Sequence, residues 1–155
     1  MQGEEEFLGG FFGHHLKRGS FPGYGIYATN KRIIGVGRSG NWRGAPAGSL
    51  LGSAPEVVLV SSGKMSLRSE RKLTKDDGAK IVAWLDGNKK DFELYKEQVS
   101  QIELKKLGLV HSGYLRITSS FGEDVKVWIA NPIDFEITKN LMQAFFPEAV
   151  RFVDS

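Results

Sequence analysis

Gly-Ile-Tyr-Ala-Thr-Asn-Lys-Arg-Ile-Ile-Gly-Val, residues 25–36, decides how this chain reads. Two apolar arms flank a polar turn. The first arm, residues 24–29, alternates moderately. The second, residues 32–37, brings the β-branched side chains of Ile33, Ile34 and Val36 close together, which suits a pleated strand. Asn30-Lys31 supplies a two-residue turn, because asparagine tolerates positive φ. The stretch therefore predicts an antiparallel hairpin. Upstream, residues 6–17 predict another strand, which the Gly9-Gly10 pair must kink.

Beyond residue 91 short strands follow in quick succession. Phe92 and Leu94 alternate with Glu93 and Tyr95, and Ile102 and Leu104 with Glu103 and Lys105. Leu115 and Ile117 alternate with Arg116 and Thr118, and Val125, Val127 and Ile129 with Lys126 and Trp128. Period 2 marks each as a half-buried strand. The strands predicted here are 92–95, 100–106, 114–119 and 124–129. A helix opens at Asn131-Pro132, a capping residue followed by proline at the first helical position. Phe135, Thr138, Leu141, Met142 and Phe145 share one stripe, with Ile137 and Phe146 beside it, and Pro147 ends the helix. Burying such a stripe stabilises by roughly 1.5–3 kcal/mol per large side chain.

Between these parts the pattern dissolves. Thirteen of the 19 glycines lie in the first 52 residues. Gly40, Gly44, Gly48 and Gly52, with Pro46, predict a long loop after residue 37. Residues 57–60 form a short apolar run with the look of a strand. Thr74 then caps a helix, with Asp76 and Asp77 in the first turn where the helix dipole favours anions. Ile81, Trp84 and Leu85 share one face of it, and Gly87-Asn88 stops it.

The 155 residues suit one domain with a substantial core. Charged residues at 25% and hydrophobic residues at 41% are ordinary globular values. Absence of cysteine excludes disulfides, thiolate metal sites and cysteine catalysis, and fits a cytoplasmic setting. No apolar run approaches the roughly 20 residues of a spanning helix. Glu4, Glu5 and Glu6 are the opposite of a signal peptide's basic start. The net charge of +3 is unevenly placed. Residues 1–37 hold four basic and three acidic side chains, residues 38–90 ten and five, and residues 91–155 seven and ten. The positive excess sits in the middle, where it can attract an anionic surface.

Seven strands followed by one helix resemble the pleckstrin-homology superfold. The Tyr27-Ala28-Thr29-Asn30-Lys31-Arg32-Ile33-Ile34 hairpin resembles the recurring Leu-Thr-Asn-Lys-Arg-Leu hairpin of bacterial and archaeal pleckstrin-homology-like and GRAM-type domains. Val99-Ser100-Gln101-Ile102-Glu103-Leu104 resembles their next recurring strand, and Phe145-Phe146-Pro147 fits their ending. The resemblance covers the first 37 and the last 65 residues. It implies an α+β fold: a seven-stranded bent antiparallel barrel capped by a C-terminal helix. The expected organisation is a single domain over residues 1–155, with core 1–37 and 91–147 and a loop-plus-helix insertion at 38–90 between strands 3 and 4. It also implies a binding module without catalysis or cofactor.

In lipid-binding members, basic residues around the first hairpin hold phosphorylated head groups. Lys17 and Arg18 stand there, and Lys31 and Arg32 in the next turn, so these four are the expected anion contacts. The opposing reading is an ordinary solvated turn. Arg38, Trp42 and Arg43 form a candidate membrane-interface loop, because tryptophan prefers the bilayer interface and cations prefer anionic lipid. Lys64, Arg68, Arg71, Lys72, Lys75 and Lys80 make the densest basic run. No aromatic residue interleaves it, so single-stranded nucleic acid is not an expected partner. His14 and His15 are adjacent on a strand and point to opposite faces, a poor metal pair. No nucleophile elbow or phosphate-cradling Gly-Lys-Ser loop is present. Tyr114, Phe121 and Trp128 are expected as barrel or turn aromatics. The leading expectation is a cytoplasmic module peripheral to an anionic membrane. The rival is a protein-interaction or homo-oligomerising domain, using the sheet edge, the groove beside the last helix, or the Ile81, Trp84 and Leu85 face.

Overall fold

The structure, a computed structural model, describes residues 4–19, 21–37, 75–87 and 90–153. Its elements in order are β1 (Phe7–Arg18), β2 (Phe21–Thr29), β3 (Arg32–Gly37), α1 (Lys75–Asp86), β4 (Phe92–Tyr95), β5 (Val99–Lys105), β6 (Gly113–Ser119), β7 (Asp124–Ile129), α2 (Pro132–Phe145) and β8 (Val150–Val153). The fold is α+β. The strands form one sheet in the order β4-β3-β2-β1-β7-β6-β5-β8. Neighbours are antiparallel except β5 and β8, which are parallel.

β1 joins the two halves of the sheet. It pairs with β2 over most of its length but with β7 only at Leu16 and Lys17. Its register slips between Phe7 and Gly9 and again between Gly13 and Lys17, so the strand bends where glycine was expected to kink it. Gly10 is needed there for close approach. A Cβ on it would lie 2.3 Å from Tyr27 Cδ2 and 2.7 Å from the Ile26 carbonyl oxygen.

The bend encloses the main core. Leu16, Ile26, Ile33, Ile102, Leu104, Leu115, Ile117, Val127 and Ile129 point inward from the strands. α2 adds Phe135, Ile137, Leu141, Met142 and Phe145, the stripe predicted from its spacing. Its start follows the expected chemistry. Asn131 Oδ1 accepts hydrogen bonds from the backbone N–H groups of Ile133 at 2.8 Å and Asp134 at 3.1 Å.

A second core lies on the other face of β2 and β3. Tyr27, Ile34 and Val36 pack there against Ile81, Trp84 and Leu85 of α1, with Phe7 at the margin. β3 is therefore buried on both faces, which is why it reads as a run and not as an alternation. The Ile81, Trp84 and Leu85 face of α1 thus covers β2–β3 of its own chain.

There are eight strands among the described residues, not seven. β8 lies along β5 with Ile102 opposite Val150 and Leu104 opposite Phe152, so the β5 edge is filled from within the chain. Residues 57–60, the Thr74 cap and the Asp76-Asp77 side chains lie outside what is described.

Candidate functional site

The two halves of the sheet treat their outer faces differently. On β2–β3 that face is covered by α1. On β7–β6–β5 it meets solvent, and the alternation there decides what is displayed. Val125, Val127 and Ile129 turn into the core, so Asp124, Lys126 and Trp128 turn outward. Leu115 and Ile117 turn in, so Tyr114, Arg116 and Thr118 turn out.

Strand register aligns these side chains in rows. Lys17 opposes Trp128, Trp128 opposes Tyr114, and Tyr114 opposes Lys105. This row crosses four strands, roughly 14 Å at the usual strand spacing. The next row runs Lys126, Arg116, Glu103, Arg151. Together the rows carry Lys17, Lys105, Arg116, Lys126 and Arg151 against Glu103, with Asp124 beyond them opposite Thr118.

Contacts across the face neutralise the acids. The Arg116 guanidinium meets Asp124 Oδ2 at 2.7 Å through Nη2 and at 2.9 Å through Nε, and reaches Glu103 at 4.0 Å. Tyr114 Oη donates to Glu103 Oε2 at 2.6 Å, a bond that holds its phenol above the ordinary pKa. Tyr114 and Trp128 meet edge to face with centroids 5.7 Å apart. Lys126 Nζ lies 4.2 Å from both ring centroids. Among the described residues, Lys17, Lys105 and Lys126 have no carboxylate within ion-pair distance. Trp128 keeps 42% of its surface in water. The arrangement is a broad cationic and aromatic face suited to an extended anionic partner.

The four expected anion contacts do not converge. Lys17 and Arg18 close β1, whereas Lys31 and Arg32 lie beyond the far end of the nine-residue β2. The two turns are about 25 Å apart along that strand, too far for one phosphate. Arg18 is engaged with Asp91 and stands 6.0 Å over the Phe92 ring. Asp91 also accepts from Tyr24 Oη at 2.5 Å, and burial first, then this bond, raises the tyrosine's pKa. Of the four, Lys17 alone sits in the cationic and aromatic face.

Arg32 is a buried structural hub, only 5% exposed. It meets Glu5 through Nε at 2.6 Å and Nη2 at 3.2 Å. It grips Asp86 with two bonds of 2.9 Å and also bonds Glu93. The Tyr95 ring lies 5.9 Å from its guanidinium carbon. Thr29 Oγ1 supports the turn, accepting from the N–H groups of Lys31 and Arg32 at 3.1 Å each. Arg32 thus ties the N-terminal segment, α1 and β4 together, and its donors are spent on protein.

Ile81, Trp84 and Leu85, the expected partner face, are buried inside the chain. Arg38, Trp42, Arg43 and the basic run from Lys64 to Lys72 lie outside the described residues. Tyr114 and Trp128 are not core. The alternation of β7 already put Trp128 out of phase with Val127 and Ile129, and that signal outweighs the habit of aromatics to be buried. No group of three His, Asp or Glu side chains among the described residues is placed to hold a metal, and no described helix is long and apolar enough to cross a membrane. No protein-family model, curated protein or solved structure matches the chain.

Proposed function

We propose that this chain is a non-catalytic binding module of pleckstrin-homology-like design that docks peripherally on an anionic membrane. The observation that carries the reading is the Lys17–Trp128–Tyr114–Lys105 row, with Lys126 beside it. Its ammonium groups, unpaired with any described carboxylate, match an anionic surface, each contributing about 1 kcal/mol near such a lipid layer. Its aromatic pair matches the bilayer interface, where an apolar ring with a polar edge is favoured. The pleckstrin-homology-like reading is supported by the bent sheet packed against α2 and by the hairpin around Asn30-Lys31. The surface used is the outer face of β7–β6–β5, and not the first hairpin that the resemblance implies.

Co-sedimentation with neutral and with phosphatidylserine-rich vesicles, at low and high salt, tests it. Binding to the anionic vesicles only, weakened by salt and lost in Lys105→Glu/Lys126→Glu, is the expected outcome. Equal affinity for neutral vesicles, or binding untouched by the double variant, contradicts the reading.

A further inference from the structure

The β5–β6 loop, residues 106–112, adjoins the Lys105–Tyr114 end of the cationic row. At its tip Leu109 is 105% exposed and Val110 86%. No other described aliphatic side chains are so bare, and the two are consecutive. An isolated exposed leucine needs no explanation, whereas an aliphatic pair at a loop tip beside cations does.

The loop is built to hold that tip outward. Leu107 at its base is half-buried and packs on the main core. Gly108 N–H donates to the His111 carbonyl at 3.0 Å, closing the turn. Gly113 at the other base lets β5 and β6 pass closely, since a Cβ there would lie 2.3 Å from the Lys105 carbonyl oxygen. The tip is thus braced on both sides while Leu109 and Val110 stand almost wholly in solvent.

The charges along the loop's own stretch of chain have one sign. No acidic residue occurs between Glu103 and Glu123, whereas Lys105, Lys106 and Arg116 do. Lys105 and exposed Lys106 lie four and three residues before Leu109. Exposed Ile133, in the first turn of α2, lies at the same end of the sheet, because Ile129 at the close of β7 pairs with Gly113.

We infer that the β5–β6 loop is a membrane-inserting tip: Leu109 and Val110 enter the apolar boundary of an anionic bilayer, while Lys105, Lys106 and Trp128 sit at the level of the headgroups. The inference rests on the proposed membrane-binding function and adds its orientation. The charge complementarity selects an anionic lipid surface as the occupant. The apolar pair supplies the part of the attraction that salt does not screen. Full burial of two aliphatic side chains corresponds to roughly a hundred- to ten-thousandfold gain in partitioning, and partial burial to at least about tenfold.

The absence of native cysteine permits one-site labelling of the full chain. An environment-sensitive dye is placed at Leu109→Cys, and in a second protein at Phe121→Cys, in the exposed β6–β7 turn at the opposite end of these strands. Each is mixed with phosphatidylserine-rich vesicles, with sedimentation recorded in parallel. The dye at 109 should shift to the blue and be quenched by lipid-borne quenchers, and the dye at 121 should stay aqueous. Leu109→Ser/Val110→Ser should lose at least tenfold in vesicle binding at high salt with an unchanged thermal melt, since both side chains are fully exposed. Vesicle binding with an aqueous dye at 109, or with the shift at 121, overturns the inserted tip and leaves the membrane-binding function standing. Failure of the unlabelled wild type to sediment with vesicles overturns both, and capture of a single-stranded oligonucleotide in that case assigns the cationic and aromatic face to nucleic acid.

Discussion

Replacing Arg32 with methionine separates a structural cation from a ligand-binding one. The guanidinium makes five hydrogen bonds to three carboxylates. Breaking a buried ion pair by removing one partner costs about 3–5 kcal/mol. Here the buried member is removed, and the carboxylates left behind are partly wet, with side-chain exposures of 27% for Glu5, 46% for Asp86 and 30% for Glu93. They can recover hydration, and methionine replaces part of the apolar stem. The cost therefore falls at the low end, about 3 kcal/mol, or about 9 °C in Tm for a chain of this size. Urea unfolding followed by circular dichroism measures it, and Lys106→Met, at an exposed loop position, should change stability by less than ~0.5 kcal/mol.

The pH dependence gives a second readout of the same variant. Asp86 is held below the ordinary carboxylate pKa of 3.8, first by its hydrogen bond from Arg32. A depressed folded value means that the stabilisation is complete above the unfolded pKa and is lost as pH falls through the folded one. In Arg32→Met, Asp86 loses that bond and keeps only Lys90, 3.4 Å away, so its pKa moves back toward the ordinary value. The wild type should lose stability below about pH 4, and the variant should lose much less over the same range. A loss of under ~1 kcal/mol at neutral pH, with the acid limb unchanged, refutes the hub. So does abolished vesicle binding by a variant as stable as the wild type, which would return Arg32 to a ligand site.

Gly10→Ala should destabilise by at least ~1–3 kcal/mol in the same urea assay, because its Cβ would collide with the Tyr27 ring and with β2 backbone at 2.7 Å. Exchanging phosphatidylserine for phosphatidylglycerol at equal surface charge should leave vesicle binding within about threefold, as expected for a screened surface attraction and not a headgroup pocket; flotation assays read this directly.

The strands around the main core were legible because their chemistry is one-sided. Val125, Val127 and Ile129 need the interior and their neighbours do not, so period 2 survives in the sequence. Asn131-Pro132 and the Phe135–Phe145 stripe marked α2 equally well. β8 was hidden because four residues allow only one alternation, and its partner, β5, lies some 48 positions upstream. The roles of the cations were hidden for a related reason. Lys31-Arg32 reads as a charged turn, but the carboxylates that hold Arg32 come from positions 27, 54 and 61 residues away. Local pattern cannot show which charges meet across such distances. The cationic and aromatic face was half legible. The phase of Trp128 was visible, whereas its alignment with Lys17 and Lys105 depends on the register of four strands.

The chemistry of the cations argues for the kind of surface they meet. Arg18, Arg32 and Arg116 each turn a guanidinium onto carboxylates of the chain itself. Guanidinium is a planar fork that suits fixed, bidentate contacts, and in these three those contacts are internal. Of the outer-face cations without a carboxylate, three are lysines, Lys17, Lys105 and Lys126, and the fourth, Arg151, turns its guanidinium onto the backbone carbonyls of Glu148 and Val150. An ammonium on a flexible stem is a mobile point charge with no preferred ligand geometry. A pocket for one phosphate would call for converging forks and backbone N–H groups, whereas a fluid, laterally averaged charge layer asks only for positive potential near its plane. Distributing that potential along a 14 Å row of point charges, with an aromatic pair at its middle and an aliphatic tip at one end, fits the second task.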